Sequence, residues 1–190
     1  MPTPPILRDV ATQLETERLV LRCPQPGDGV LTHEAVVESL AALRAWPASL
    51  PWAMAEPSVE ASETFCRESI ADFVRRTGFV YLAFERTSGR FVASLGVHHI
   101  DWSVPKCEIG FWCRSSMHRR GYTREAVAAI VRTLLDDHGV RRIAIHTDEA
   151  NLPTRALSES LGFALEGIQR HDRTAPGGEL RSTCIYALVR

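Results

Sequence analysis

The residues best disposed for chemistry lie in one stretch, IGFWCRSSMHRRGYTREA, from Ile109 to Ala126. It reads as strand, short loop and helix. A helix start offers amides without an intrahelical partner and the positive end of the macrodipole. Together these bind a pyrophosphate. Gly121 lets backbone approach phosphate with no Cβ between them, and Arg119, Arg120 and Arg124 add positive charge. A plain strand-to-helix connection with solvated arginines reads the same way. A second stretch, TDEANLPTRALSESLGFALEG, runs from Thr147 to Gly167. Asn151 follows a strand end and Thr154 comes three residues later, a spacing that suits a helix cap and its first-turn amide.

The elements that must position these residues follow from periodicity and punctuation. Residues 1–15 read as a frayed N-terminal arm, and residues 16–190 as one domain. Glu17–Arg22 reads as a strand. Asp28 is placed to cap a helix running to about Arg44, with Val36, Val37, Leu40 and Leu43 at helical spacing. The proline- and tryptophan-rich stretch from Trp46 to Pro57 reads as an irregular connection, and Val59–Arg76 as a second helix. Phe79–Glu85 and Arg90–Ile100 form a hairpin signal around Thr87–Gly89, and Lys106–Arg114 is another strand. Tyr122–His138 carries one apolar stripe (Val127, Ile130, Val131, Leu134, Leu135) and stops at Gly139. Arg141–Thr147 is a short strand, Pro153–Leu161 a short helix, and Phe163–Arg170 with Leu180–Val189 a final hairpin. The order β-α-α-β-β-β-α-β-α-β-β predicts an α/β (α+β) fold, a mixed sheet with about four helices on its faces. Its ligand site is expected where strand ends meet helix starts.

Length and composition exclude several classes. A chain of 190 residues suits one domain. Its formal net charge of −1 supplies no overall field toward nucleic acid or membrane. The cysteines number five, an odd count without C-x-x-C spacing, and read as reduced thiols of a cytoplasmic protein. The first residues lack the basic and apolar regions of a signal peptide, and no apolar run approaches the ~18 residues of a membrane span. No cluster of metal ligands is evident, so no metal is expected. A homodimer is compatible with the sequence.

Taken together, TERLVLR (Thr16–Arg22), EIGFW (Glu108–Trp112), RRGYTREA (Arg119–Ala126), TDEANLPTRALSESLGF (Thr147–Phe163) and ALEG (Ala164–Gly167) resemble the GNAT (Gcn5-related) N-acetyltransferases, specifically the RimJ/RimL type acting on ribosomal-protein N-termini. The order and spacing of the pieces carry the resemblance over nearly the whole chain. It implies a mostly antiparallel central sheet and acetyl-CoA as cosubstrate. The family's phosphate loop, Q/R-x-x-G-x-G/A, falls on His118, Arg119, Arg120, Gly121, Tyr122 and Thr123; His118 replaces Gln/Arg and Thr123 replaces Gly/Ala. The resemblance further implies that Phe111, Trp112, Cys113 and Arg114 run along the pantetheine arm. There a backbone N–H would polarise the thioester carbonyl. It places Asn151 near that arm, with the Thr154 hydroxyl stabilising the departing thiolate.

The general base does not carry over. The family's Glu after GF-x-L-E-G has no counterpart in Gln169–Arg173, which leaves His171 or Asp172, Glu108 on the central strand, and the His98–His99 pair. As neighbours in a strand, His98 and His99 should face opposite sides of the sheet. Trp46, Trp52 and Met54, with His98, are expected to wall the acceptor site. An α-amine of pKa ~7.7–8 needs less help from a base than a lysine at ~10.4. The expected reaction is transfer of an acetyl group to an amine by direct attack in a ternary complex. The acceptor is a peptide N-terminus or a small amine, such as a polyamine or an antibiotic. A non-catalytic acyl-CoA-binding sensor is the rival from another class.

Overall fold

A computed structural model describes residues 4–47 and 49–190. Twelve regular elements follow one another: β1 (Gln13–Glu15), β2 (Leu19–Arg22), α1 (Gly29–Arg44), α2 (Val59–Arg75), β3 (Phe79–Glu85), β4 (Phe91–Asp101), β5 (Lys106–Cys113), α3 (Tyr122–Asp136), β6 (Arg142–Asp148), α4 (Leu152–Ser160), β7 (Ala164–Thr174) and β8 (Leu180–Val189). The strands form one sheet in the order β1-β2-β3-β4-β5-β6-β8-β7. Every pairing is antiparallel except β5 with β6. The helical order matches the expected one, with a single strand added at the front.

That added strand revises the N-terminal arm. Gln13–Glu15 pairs with Val20–Arg22 as an edge strand, and the Tyr81 hydroxyl donates to the carbonyl of Ala11 at 2.7 Å. Residues 1–3 of the expected arm lie outside the described residues. Three residues with one partner strand leave no alternation long enough to read from sequence.

Both faces of the sheet are covered, which is why β3 is buried at five successive positions rather than at alternate ones. Phe79, Tyr81 and Ala83 join the large core with Ala126, Val127 and Ile130 of α3. Val80 and Leu82 pack with Phe91 and with Ala35 of α1. The α3 stripe packs as its period predicts, whereas Val37 of the α1 stripe faces outward, 48% exposed. The inward polar positions of α1, Thr32 and Ser39, are buried in its place.

The capping assignment for α1 also changes. Asp28 stands at its N-cap, but its carboxylate takes both guanidinium nitrogens of Arg22, at 2.6 and 2.8 Å. The amides of Gly27 and Gly29 instead donate to Glu63 of α2, at 3.0 and 3.1 Å. A Cβ on Gly29 would stand 2.6 Å from the Cβ of Glu63, so the two helices meet too closely for a side chain there. Helices α1 and α2 therefore behave as one wall. Among the described residues no helix is long and apolar enough to cross a membrane.

Candidate active site

The site begins where the sheet comes apart. Strands β5 and β6 pair only over Lys106–Glu108 and Arg142–Ala144, and then diverge. The hydrogen-bond parity of β5 fixes what the gap receives. Arg114 donates its amide to Val92 of β4 at 2.8 Å, so the even-numbered residues of β5 bond toward β4. The carbonyl of Ile109 and the backbone of Phe111 and Cys113 point to the other side, where the partner strand has left; the Ile109 amide still meets Ala144 in the last rung of the β5–β6 pairing. On β6 the amide of Glu149 bonds Ser182 beyond β8's start, and the same parity turns the backbone of His146 toward the gap. The slot is lined by the Ile109 carbonyl, both backbone groups of Phe111 and the Cys113 amide, and suits an extended amide-bearing chain such as pantetheine.

Below the slot lies a groove of about 600 Å³. Its floor is Ile109–Trp112 of β5 and Ile145–Thr147 of β6, and its far wall is built from α1, α2 and the Pro51–Met54 turn. Trp46, Trp52 and His98, expected at the acceptor, all line it, as do Glu108, Asn151 and Thr154. Phe65 of α2 joins them. His171 does not; it lies exposed on β7, in a stretch of irregular pairing between Gln169 and Arg173, with φ at +52°. Trp112 contributes its ring to the far wall, 6.2 Å from Trp52 and 5.6 Å from Phe91. Its amide belongs to the β4 side by parity, so among residues 111–114 it is Phe111 and Cys113 whose amides face the slot.

The loop after β5 is clamped from outside the groove. A short 3-10 turn, Ser115–Met117, leads to Gly121, the N-cap of α3, at φ +78°. Glu38 of α1 takes the Arg114 guanidinium at 2.6 Å and the Ser116 amide at 2.9 Å, and Ser39 takes the Ser115 amide at 3.0 Å. Hydrogen bonds from Ser116, and then the Arg114 charge, hold the Glu38 carboxyl down at about 2. From below, Arg18 pairs with Glu125 at 2.6 Å, donates to the carbonyl of Arg120 at 3.0 Å and lies over the Tyr122 ring. His118 turns its ring back and donates from Nε2 to the carbonyl of Cys113 at 3.0 Å. Thr123 turns its hydroxyl to the Cys113 thiol, which burial raises and that bond partly restores. The side chains of His118 and Thr123 are thus spent on shaping the loop. Arg119 and Arg120 stay exposed beside the first-turn amides of α3, and Arg124 reaches the carbonyl of Ser160 at 3.3 Å.

Across the slot, Asn151 caps α4 by accepting the Thr154 amide at 3.2 Å. The turn before it is held by Asp148. Burial alone would raise that carboxyl, but two bonds from Arg181, at 2.7 and 2.8 Å, and the Ala150 amide keep it below the ordinary range.

The titratable groups of the groove gather at Glu108. Its Oε2 lies 3.0 Å from Nδ1 of His99 and 3.4 Å from Nδ1 of His146. His98 pairs directly across from Glu108 in the sheet. A bulge between His98 and Asp101, with His99 at φ +50°, breaks the alternation of β4. Consecutive histidines therefore both serve the Glu108 side, against the expectation of opposite faces. Protein packed around the His98 imidazole, which sits over Gly96, holds it below the usual histidine range although it keeps solvent contact. His146 and Arg173, also in the groove lining, carried no signal in sequence: each is one polar residue on an ordinary strand. Among the described residues no group of three His, Cys, Asp or Glu side chains is arranged to hold a metal.

Known proteins share this architecture. The acetyltransferase (GNAT) domain model matches residues 18–164. YdaF of Bacillus subtilis (strain 168), whose provisional name is ribosomal N-acetyltransferase, is 23% identical over 92% of this chain and 92% of its own. The coenzyme A complex of RimL, a ribosomal L7/L12 α-N-protein acetyltransferase, superposes with a TM-score of 0.84 at 21% identity, covering 92% of this chain and 95% of that one. The microcin C7 self-immunity acetyltransferase MccE, solved with acetyl-CoA and AMP, gives 0.83 at 18%, covering 92% and 94%. With three-quarters of its length inside the family model and a slot fit for pantetheine, this chain belongs to the GNAT family and is an acetyl-CoA-dependent N-acetyltransferase.

Proposed function

We propose that the acceptor is the α-amine of a peptide or protein N-terminus carrying an apolar residue near its start, and that Glu108 takes its proton. The observation that carries this reading is the composition of the groove. Its far wall is apolar, with Trp46, Trp52, Trp112 and Phe65, and its carboxylate there, Glu56, is tied to Arg44 at 3.4 Å. A polycation would find little to pair with on such a wall, and an apolar side chain would bury surface worth roughly 1.5–3 kcal/mol. The relationship to proteins named for ribosomal N-terminal acetylation points the same way.

Residue by residue, the amides of Gly121–Arg124 and the guanidinium groups of Arg119 and Arg120 hold the pyrophosphate of acetyl-CoA. The carbonyl of Ile109 and the backbone of Phe111 pair with the pantetheine arm, as a strand would. An N–H at that edge receives the oxyanion as the amine attacks the thioester carbonyl. Glu108 accepts the proton the nitrogen sheds. Thr154, at the positive end of α4, donates its hydroxyl to the departing thiolate; against a thiol of pKa ~8.5 a hydroxyl stabilises charge better than it gives up a proton.

The test is thiol release from acetyl-CoA with a panel of short peptides differing in their first two residues, set beside polyamines and aminoglycosides. Turnover concentrated on peptides with an apolar or aromatic start is expected. Preference for polyamines would overturn the acceptor assignment. Tight acetyl-CoA binding without thiol release from any amine would favour a sensor.

A further inference from the structure

We infer that His99 is a proton exit for the acetyl-transfer site, passing the acceptor's proton from Glu108 to bulk water, with His146 holding the carboxylate in place from the groove side. This rests on Glu108 being the base. Three observations carry it. Both imidazoles address the same oxygen, Oε2, at 3.0 and 3.4 Å. Only the outer imidazole is open: His99 is 79% exposed, against 24% for Glu108 and 32% for His146. Finally, His99 reaches Glu108 only because the β4 bulge puts it at φ +50°. A non-glycine residue there is sparsely populated, and such strain persists where the surroundings over-determine it.

Each turnover must dispose of one proton. As the C–N bond forms and the C–S bond breaks, the nitrogen loses a proton to Glu108. In the resting site His99 donates Nδ1–H to the carboxylate; once Glu108 is protonated, tautomer exchange with bulk water moves the ring hydrogen to Nε2, and the freed Nδ1 takes the proton from Oε2. The imidazolium then releases its Nε2 proton to water, which leaves Nδ1–H donating to the restored carboxylate. The carboxylate is thereby ready again without opening the groove. The charged and titratable groups facing this chain are His98 on β4, His146 on β6, and Asp72 of α2, which acts on His98.

The experiment compares His99→Gly, His99→Asn and Glu108→Gln in steady-state acetyl transfer. Glycine suits the positive φ, so His99→Gly folds without strain and leaves an open space for imidazole. Asparagine tolerates the same φ and keeps a donor for Oε2 but cannot carry a proton. The expected result is a fall in kcat of about tenfold in both His99 variants, smaller than the 10²–10⁴ of losing the base itself. KM for both substrates should hold, and added imidazole should restore His99→Gly as the neutral form grows through about pH 7. Wild-type kcat in His99→Asn would overturn the relay and reduce His99 to a hydrogen-bond donor. Failure of imidazole to restore His99→Gly would overturn it too. If Glu108→Gln keeps full activity, the base assignment itself falls and the relay with it. If Glu108→Gln is inactive while His99→Gly is normal, the base stands and only the relay is lost.

Discussion

At its C-terminal end β5 runs into a loop clamped from three sides. At its N-terminal end it carries Glu108 between two partly open imidazoles. The loop has Glu38 and Ser39 above, Arg18 and Glu125 below, and His118 folded back on Cys113. The Glu108 end has a bulge, a strained φ and solvent within reach. One strand thus has a rigidly held end and a looser end, which the proposed mechanism uses as its binding end and its reacting end. The binding end needs amides fixed in place, since ordering them at the moment of binding would cost about 1–2 kcal/mol per residue. The reacting end must exchange protons with water on every turnover, so complete burial would defeat it.

This division predicts a double dissociation, strongest at the reacting end. Glu108→Gln should lower kcat by about 10²–10⁴ while leaving acetyl-CoA affinity, read by calorimetry, as it was. A matching loss of affinity would erase the distinction between the two ends. Thr154→Val keeps the shape and removes the hydroxyl; losing a bond to a charged group, about 1.5–3 kcal/mol, should slow kcat roughly 10–10²-fold, with Thr154→Ser near wild type. An equally slow serine variant would sink the hydroxyl's role. At the binding end, Gly121→Val must adopt φ +78° with a branched side chain. The left-handed penalty of about 1–2 kcal/mol or more should weaken acetyl-CoA binding roughly tenfold, with kcat at saturation little changed. Unaltered affinity would mean that the cosubstrate binds elsewhere.

The smallest effect concerns the clamp. Glu38 is held at about 2, below its ordinary 4.5. A depressed carboxyl stabilises the fold fully above its unfolded value, and that contribution is lost as pH falls from about 4.5 toward 2. With the side chain 31% exposed, solvent screening should keep it under about 1 kcal/mol. Glu38→Gln should flatten the acid limb of thermal stability in that window. An identical acid limb would show that the clamp carries no charge-dependent energy.

Much of the binding end was legible because it is local. Gly121, the arginines and the α3 stripe lie within a few residues of one another, and helix-start chemistry depends on neighbours in sequence. The clamp was not legible, since Glu38 and Arg114 are 76 residues apart and Glu38 reads as one more solvated acid on a helix. The same holds for Glu63, which serves α1 from α2 in place of the cap expected from Asp28. At the reacting end Glu108 was legible as a candidate among several. Its partners were not: a bulge reverses the alternation that sequence assumes for His98 and His99, and His146 arrives from a strand that becomes a neighbour only through the parallel crossover.

The parting of β5 from β6 makes this sheet two half-sheets joined by three residue pairs. Backbone left without a partner inside a sheet is a fault line, and a pantetheine chain laid along the Ile109 carbonyl and Phe111 would supply the absent rungs. Acetyl-CoA would then be a structural splint as well as a reactant, and its occupancy would set how firmly the halves β1–β5 and β6–β8 move together. Saturating cosubstrate at 100 times its Kd should raise unfolding stability by about 2.7 kcal/mol. Slowed amide hydrogen exchange should follow Phe111 and Cys113 and leave the even-numbered residues of β5, already bonded to β4, unchanged.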